Sequence, residues 1–344
     1  MTDQDQPQSS APVPDDTSAR ARTDVEEGKG DWLDGFVESK LGEVAAAKGR
    51  LDARVAARQQ RAWSGEAGAE GAGAKAGRNL PAAIASGLVL AALLIAAMVF
   101  RKELYLLIAG IGVGAASWEL RQALTQAGFR VPLVPAILGT PVMLLGAYLT
   151  GGHGLTVAFG QTMFLGAMWR VADAGPGLVR DISGSFFIAA YPNLLAGFSA
   201  LLLAPADGAA RLFVYLLVTT FSDIGGYAFG VLFGKHPLAP SVSPKKSWEG
   251  FIGSAVTCMI LGALSVSLAL HAPWQWGVLL GLLVALGATL GDLFESLIKR
   301  DLGIKDMSSL LPGHGGFMDR IDSLVVTAPL VWVVLTLAVP VGGS

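Results

Sequence analysis

The chain has 344 residues, of which 52% are hydrophobic and only 15% charged, with a mean hydropathy of +0.53. Soluble domains carry roughly 25% charged residues, so the composition points away from a soluble protein and toward a bilayer. A net charge of −2 with scattered basic residues gives no support to nucleic-acid binding. The single cysteine, Cys258, rules out both a disulfide framework and a cysteine-built zinc cluster within the chain.

Residues 1–79 hold 11 of the 25 Lys and Arg and 14 of the 27 Asp and Glu, which leaves the rest very sparsely charged. Their first 30 positions are rich in Asp, Gln, Pro, Ser and Thr and lack the material for a core, so a disordered tail is expected. Leu33, Val37, Leu41, Val44, Leu51 and Val55 then recur near helical spacing, predicting one amphipathic helix near 32–63 that lies on a membrane, pairs with another helix or is simply solvated. Gly- and Ala-rich residues 64–77 read as a linker.

Beyond Leu80 the chain runs in long apolar stretches, and a spanning helix needs roughly 20 such residues. The reading is an all-α polytopic membrane domain over 80–344 with about nine spans, near 80–100, 103–119, 131–150, 155–172, 184–204, 211–233, 251–271, 276–296 and 322–340. A cytoplasmic N-terminus places 13 basic residues inside and three (Arg101, Lys102 and Arg211) outside, the bias that sets orientation. Cys258 falls in an apolar run and reads as a small buried side chain.

Two polar connections, both on the predicted cytoplasmic side, carry the chemistry. In the first, at 235–250, Ser243-Pro244-Lys245-Lys246-Ser247 sets two ammonium groups and two hydroxyls in an expected turn at the membrane edge, a candidate phosphate-binding loop. Upstream, Asp223 lies in an apolar segment, where a carboxylate needs a partner, a metal or water; the glycines around it read as helix packing. In the second, Gly291 to Asp322 around the loop 297–321, Asp292, Glu295 and Lys299 share the face of a helix leaving the membrane. Pro312-Gly313-His314-Gly315-Gly316 makes a turn that exposes backbone N–H groups, and Asp319 and Asp322 open the next helix, three residues apart. Magnesium prefers oxygen ligands and often takes only one or two carboxylates, completing its shell with water and substrate phosphates. Asp292 and Asp319 are the first choice of ligands, with Asp223 and Asp322 next. Zinc, serine-nucleophile and P-loop chemistries lack their signatures.

Together these stretches resemble the phosphatidate cytidylyltransferases, or CDP-diacylglycerol synthases. The family's C-terminal pattern appears as Ser296, Lys299-Arg300, Lys305-Asp306, His314-Gly315-Gly316, Asp319-Arg320 and Asp322, unbroken over 27 positions. Its upstream block appears as Ser243 to Gly250, with Ser247 in place of threonine. The resemblance covers roughly 80–344 and not the tail. It implies a multi-helix membrane enzyme that uses magnesium on Asp292 and Asp319 and admits a second cation such as potassium. CTP and phosphatidic acid would be the substrates and CDP-diacylglycerol the product, for phospholipid biosynthesis. Asp292, Asp319, Lys299, Arg300 and Arg320 would be catalytic. Ser243, Lys245, Lys246, Ser247, Lys305, His314, Gly315 and Gly316 would bind substrate phosphates. The site would face the cytoplasm from the cell membrane. Competing readings are a CTP-dependent enzyme acting on another lipid phosphate or a polyprenol, and an ion-coupled transporter. Oligomeric state, a homodimer included, is left open.

Overall fold

The computed structural model describes residues 100–339 except 241, 309 and 311–315, together with isolated positions before residue 100. Most of the first predicted span, most of the tail, and His314 and Gly315 lie outside the described residues. The described positions within 32–63, among them Lys40 and Glu43, are helical and exposed; these two side chains pair at 2.7 Å.

Among the described residues, seven helices are long and apolar enough to cross a membrane. They are α1 (Leu104–Gln126), α2 (Leu133–Ala172), α3 (Leu178–Leu203), α4 (Gly208–Phe233), α5 (Trp248–Ala269), α6 (Trp274–Asp301) and α7 (Met318–Ala338). In hydrocarbon every backbone N–H and C=O needs a partner from its own segment, which is why long apolar runs resolve into helices. Leu149 and Leu268 are 72% and 73% exposed on the outside of the bundle, and such a belt suits lipid rather than water.

The 40-residue α2 contains the predicted spans 131–150 and 155–172 in one element. Its backbone leaves the helical region at Gly151, with φ 69° and ψ −151°, a conformation open to glycine. The two arms fold back there, and a Cβ on Gly146 would lie 2.8 Å from the Gly154 carbonyl oxygen. Helix α3 is regular except at Ala189–Leu194, where a π-helical turn interrupts it.

The all-α expectation needs one correction. Ser243–Ser247 is a strand, β2, and not a turn; it pairs antiparallel with β1 (Pro237–Ala239). The chain stays extended through Ser247, whose φ of −120° and ψ of 157° suit an N-cap, and its hydroxyl accepts the Gly250 N–H at 3.2 Å. Helix α5 begins only after that cap.

Helices α4 to α7 share one core, built on Val218, Cys258, Val284 and Val331. The buried Cys258 therefore packs as a small apolar residue, as expected. Helices α5 and α6 approach closely enough that a Cβ on Gly262 would lie 2.2 Å from the Gly277 carbonyl oxygen. A second core joins α1, α3 and α7 through Ala116, Leu120, Ile188 and Met318. Helix α7 thus belongs to both halves of the bundle.

At one end of the bundle, cations close helix C-termini. Lys102 Nζ donates to the carbonyl oxygens of Leu203 (3.2 Å) and Pro205 (2.8 Å), past the end of α3. Buried Arg211 donates from Nη1 to the Leu335 carbonyl at 3.1 Å and from Nη2 to that of Val339 at 2.8 Å, at the end of α7. Both complement the negative end of a helix dipole.

Candidate active site

The opposite end gathers the acids. Asp292 and Glu295 lie near the end of α6, three residues apart on one face, and Asp319 and Asp322 lie in the first turns of α7. The two helices touch where a Cβ on Gly291 would lie 2.8 Å from the Asp322 carbonyl oxygen. That contact brings the four carboxyl groups into two facing pairs, Asp292 with Asp322 and Glu295 with Asp319, each within hydrogen-bonding range. Glu295 and Asp322 are buried.

Lysines stitch the pairs together. Lys299 Nζ donates to Glu295 Oε2 at 2.7 Å and to Asp319 Oδ1 at 2.8 Å, tying α6 to α7. Lys246 Nζ, from β2, is ion-paired with Asp292 Oδ2. Asp292 Oδ1 also accepts the Ser323 hydroxyl at 2.9 Å. Charge-assisted bonds of this kind are roughly twice as strong as neutral ones. Asp223 on α4 is exposed yet lies within electrostatic range of Asp292 and Lys246.

Strand β2 sets the aim of its lysines. Successive side chains of a strand point to opposite faces, so Lys246 turns inward to Asp292 while Lys245 is exposed. The hairpin is held to α5 by Glu249. Its Oε2 accepts the backbone N–H groups of Lys235 (3.1 Å) and His236 (3.2 Å), and its Oε1 meets His236 Nδ1 at 2.6 Å.

Residues 81–338 match the Cytidylyltransferase family. The chain is 45% identical over 284 residues to the phosphatidate cytidylyltransferase of Mycobacterium leprae, an alignment that covers 76% of this chain and 89% of that relative. It is 40% identical over 277 residues to the enzyme of that name from Mycobacterium tuberculosis H37Rv, covering 76% of this chain and 84% of the relative. The Brucella suis relative is 37% identical over 205 residues, covering 57% and 70%.

The chain belongs to the cytidylyltransferase family.

In this cytidylyltransferase-family chain the structure brings together Asp292, Asp319, Asp322, Asp223, Lys246 and Lys299. It assigns other work to two residues of the expected phosphate-binding set. The Ser247 hydroxyl oxygen accepts the Gly250 N–H and so caps α5. The Gly316 N–H donates to Asp319 Oδ2 at 2.8 Å and holds that carboxylate rather than standing open to a phosphate. Ser243 is half-buried at the start of β2, Arg300 is half-buried, and Lys305 and Arg320 are exposed.

Three residues were not singled out from the sequence. Glu119, fully buried on α1, accepts the backbone N–H groups of Phe317 and Met318, each at 2.9 Å, and so caps the start of α7. It also explains Gly316, where a Cβ would sit 2.6 Å from Glu119 Oε2. An acid inside an apolar span was the available signal. Ser323, beside Asp292, and Tyr191, in the π-helical turn, carried no signal in their spacing.

The residues present fit a magnesium ion. The donors are all hard oxygens, and carboxylates held this close repel one another unless a proton or cation lies between them. Among the described residues, no three His, Cys, Asp or Glu side chains form a ready-made metal cage. Magnesium commonly takes only one or two carboxylates and completes its shell with water and substrate phosphates, so a cage is not required.

Proposed function

We propose that this chain transfers the cytidylyl group of CTP to phosphatidic acid, releasing pyrophosphate and yielding CDP-diacylglycerol for phospholipid biosynthesis. One observation carries this reading: the family match runs through every residue of the acidic site, and relatives matched over most of their length bear the name phosphatidate cytidylyltransferase.

A phosphatidate oxygen attacks the α-phosphorus of CTP. The new P–O bond forms as the bond from the α-phosphorus to the β-phosphate oxygen breaks, and pyrophosphate leaves with those electrons. A phosphate monoester has a second pKa of roughly 6, so the nucleophile is largely ionised at neutral pH and no strong base is needed. The main task is to bring two anions together. Asp292 and Asp319 would hold magnesium, with Asp322 and Asp223 beside them. When bound, the ion neutralises nucleotide phosphate oxygens and eases departure of pyrophosphate. Buried Glu295 adds a further carboxylate that would suit a second cation such as potassium. Lys246 and Lys299, each seated on a carboxylate of this set, are placed to exchange that contact for a substrate phosphate. Arg300 and Arg320 bring the planar fork suited to phosphate oxygens.

Nine crossings with a cytoplasmic N-terminus in the cell membrane, and a site open to the cytoplasm, complete the reading. The loop charges support it, and so do Lys102 and Arg211. Both are committed to capping helix ends away from the acids, so they weaken the case against this orientation.

The test is direct. Purified protein given CTP and phosphatidate should form CDP-diacylglycerol and pyrophosphate in a magnesium-dependent reaction. Turnover of polyprenol or dolichol substrates in place of phosphatidate, or solute uptake into vesicles without CTP turnover, would overturn it.

A further inference from the structure

The carboxylates and lysines account for one side of the site. The other side is walled by α3, where Tyr191 stacks on Phe187, with ring centroids 5.6 Å apart, and meets Phe294 edge-on at 4.9 Å. Phe294 lies on α6 between Asp292 and Glu295. Tyr191 is only 5% exposed, and its hydroxyl has no hydrogen-bond partner. Asp322, Glu295 and Asp292 all lie within electrostatic reach of that hydroxyl. Glu295, itself buried, likewise has a partnerless oxygen, Oε1. A buried polar group left unpaired costs about 1–3 kcal/mol, so a phenol held this way, rather than a phenylalanine, calls for a ligand.

The backbone that delivers Tyr191 is irregular, and the irregularity is pinned. Tyr191 lies in the π-helical turn Ala189–Leu194. A single extra residue in a turn re-phases the helix by about 100°, and such turns occur frequently at functional sites. Buried Asn193 holds it: its Oδ1 accepts the hydroxyls of Ser117 (2.6 Å) and Thr140 (2.7 Å), and its Nδ2 donates to the Ala136 carbonyl at 3.2 Å. Two neighbouring helices thus fix a turn whose outcome is a phenol facing the acids.

We propose that the Tyr191 hydroxyl is a substrate-binding group that donates its hydrogen bond to a substrate phosphate oxygen in the acidic site. A phosphate oxygen is an acceptor that the acids do not already supply in bonded form. A neutral O–H holds it without adding a cation that the neighbouring carboxylates would neutralise. Tyr191 is itself buried, and a hydrogen bond in such surroundings is stronger than one in water. The proposal rests on the cytidylyl-transfer reading, and it adds a residue from α3 to a site otherwise built on α4 to α7 and the hairpin.

The experiment is Tyr191→Phe, which keeps both ring contacts and removes only the hydroxyl. Initial rates are measured with CTP and phosphatidate varied in turn, alongside thermal unfolding. The expected result is a fall of about 10- to 100-fold in kcat/KM for one substrate, with a melting temperature that is unchanged or raised. A fall confined to phosphatidate assigns the bond to the lipid phosphate, and one confined to CTP assigns it to the nucleotide. Values within twofold of wild type for both substrates overturn the proposal. So does a loss of rate matched by a lower melting temperature, which makes the hydroxyl structural. Failure of the wild-type protein to make CDP-diacylglycerol sinks the parent reading instead, so the two failures are distinguishable.

Discussion

The carboxylate of Glu119 reaches from α1 to the backbone N–H of Met318, 199 residues later in the chain, and holds it at 2.9 Å. The first turn of α7 carries Asp319, so a residue that touches none of the site's lysines fixes where one of its carboxylates stands. Glu119→Ala removes two charge-assisted bonds to backbone N–H groups, each worth about 1.5–3 kcal/mol. It should lower the melting temperature and most of the activity together. Glu119→Gln keeps a carbonyl acceptor and should retain a measurable part of both. Thermal unfolding in detergent beside the CTP assay reads the two effects.

Gly316→Ala offers a sharper version, because the added methyl carbon would sit 2.6 Å from Glu119 Oε2. Activity should fall at least about tenfold, as small misplacements of reacting groups are costly. A variant with wild-type rate would show that the α7 start tolerates displacement.

The two hairpin lysines should separate. Lys246 is seated on Asp292 and Lys245 is exposed. Lys246→Ala removes a partner of a half-buried carboxylate and should cost about 100-fold in kcat/KM, whereas Lys245→Ala should cost only a few fold. Equal losses in steady-state kinetics would argue against the alternation of β2.

Asp319→Ala should abolish CTP-dependent product formation while the protein remains inserted in the membrane. Chelation of wild type should do the same reversibly, with magnesium restoring the rate. Normal activity in the variant, scored by radiolabelled CTP, removes Asp319 from the metal assignment.

Arg170 and Asp181 make the contrasting case of a charge pair with a structural role. Arg170 Nε donates to Asp181 Oδ2 at 2.7 Å, and both side chains are buried. Asp181 Oδ1 also accepts the Arg130 N–H at 2.9 Å, so the pair fastens two connecting loops. Breaking it by Arg170→Met strands a buried carboxylate and should destabilise by about 3–5 kcal/mol, with KM for both substrates unchanged. Denaturation curves and kinetics on the same preparation check both halves.

Much of this site could be read from residue spacing. Asp292, Glu295 and Lys299 occupy one helix face because residues three and four apart do so in any helix, and the deep position of Asp292 marked it as more than a surface charge. Asp319 and Asp322 followed from the same periodicity. What spacing could not supply was anything set by contacts between distant segments. Glu119 is one charge in an apolar span until α7 is packed against α1. The cap that Ser247 provides is invisible until the helix start is located. Tyr191 depends on a π-helical turn whose cause, Asn193 bonded to two other helices, is tertiary. The strand at Ser243–Ser247 was missed for a related reason, since five residues show no period until a partner strand lies beside them. In α2, two predicted spans share one element because a single glycine reverses the chain, and hydropathy is blind to such a bend.

The near-contact of Gly262 with Gly277 has a mechanical consequence. Helices α5 and α6 meet there backbone to backbone, with no side chain between them to yield or slide. A hinge within either helix would have to pull apart main chains already in touch, so the pair moves as a single strut. Lys246 is attached just before one of these helices and Asp292 stands on the other. The spacing of the two backbones is therefore set when the protein folds, and the movement that carries Lys246 from Asp292 to a phosphate falls to its side chain.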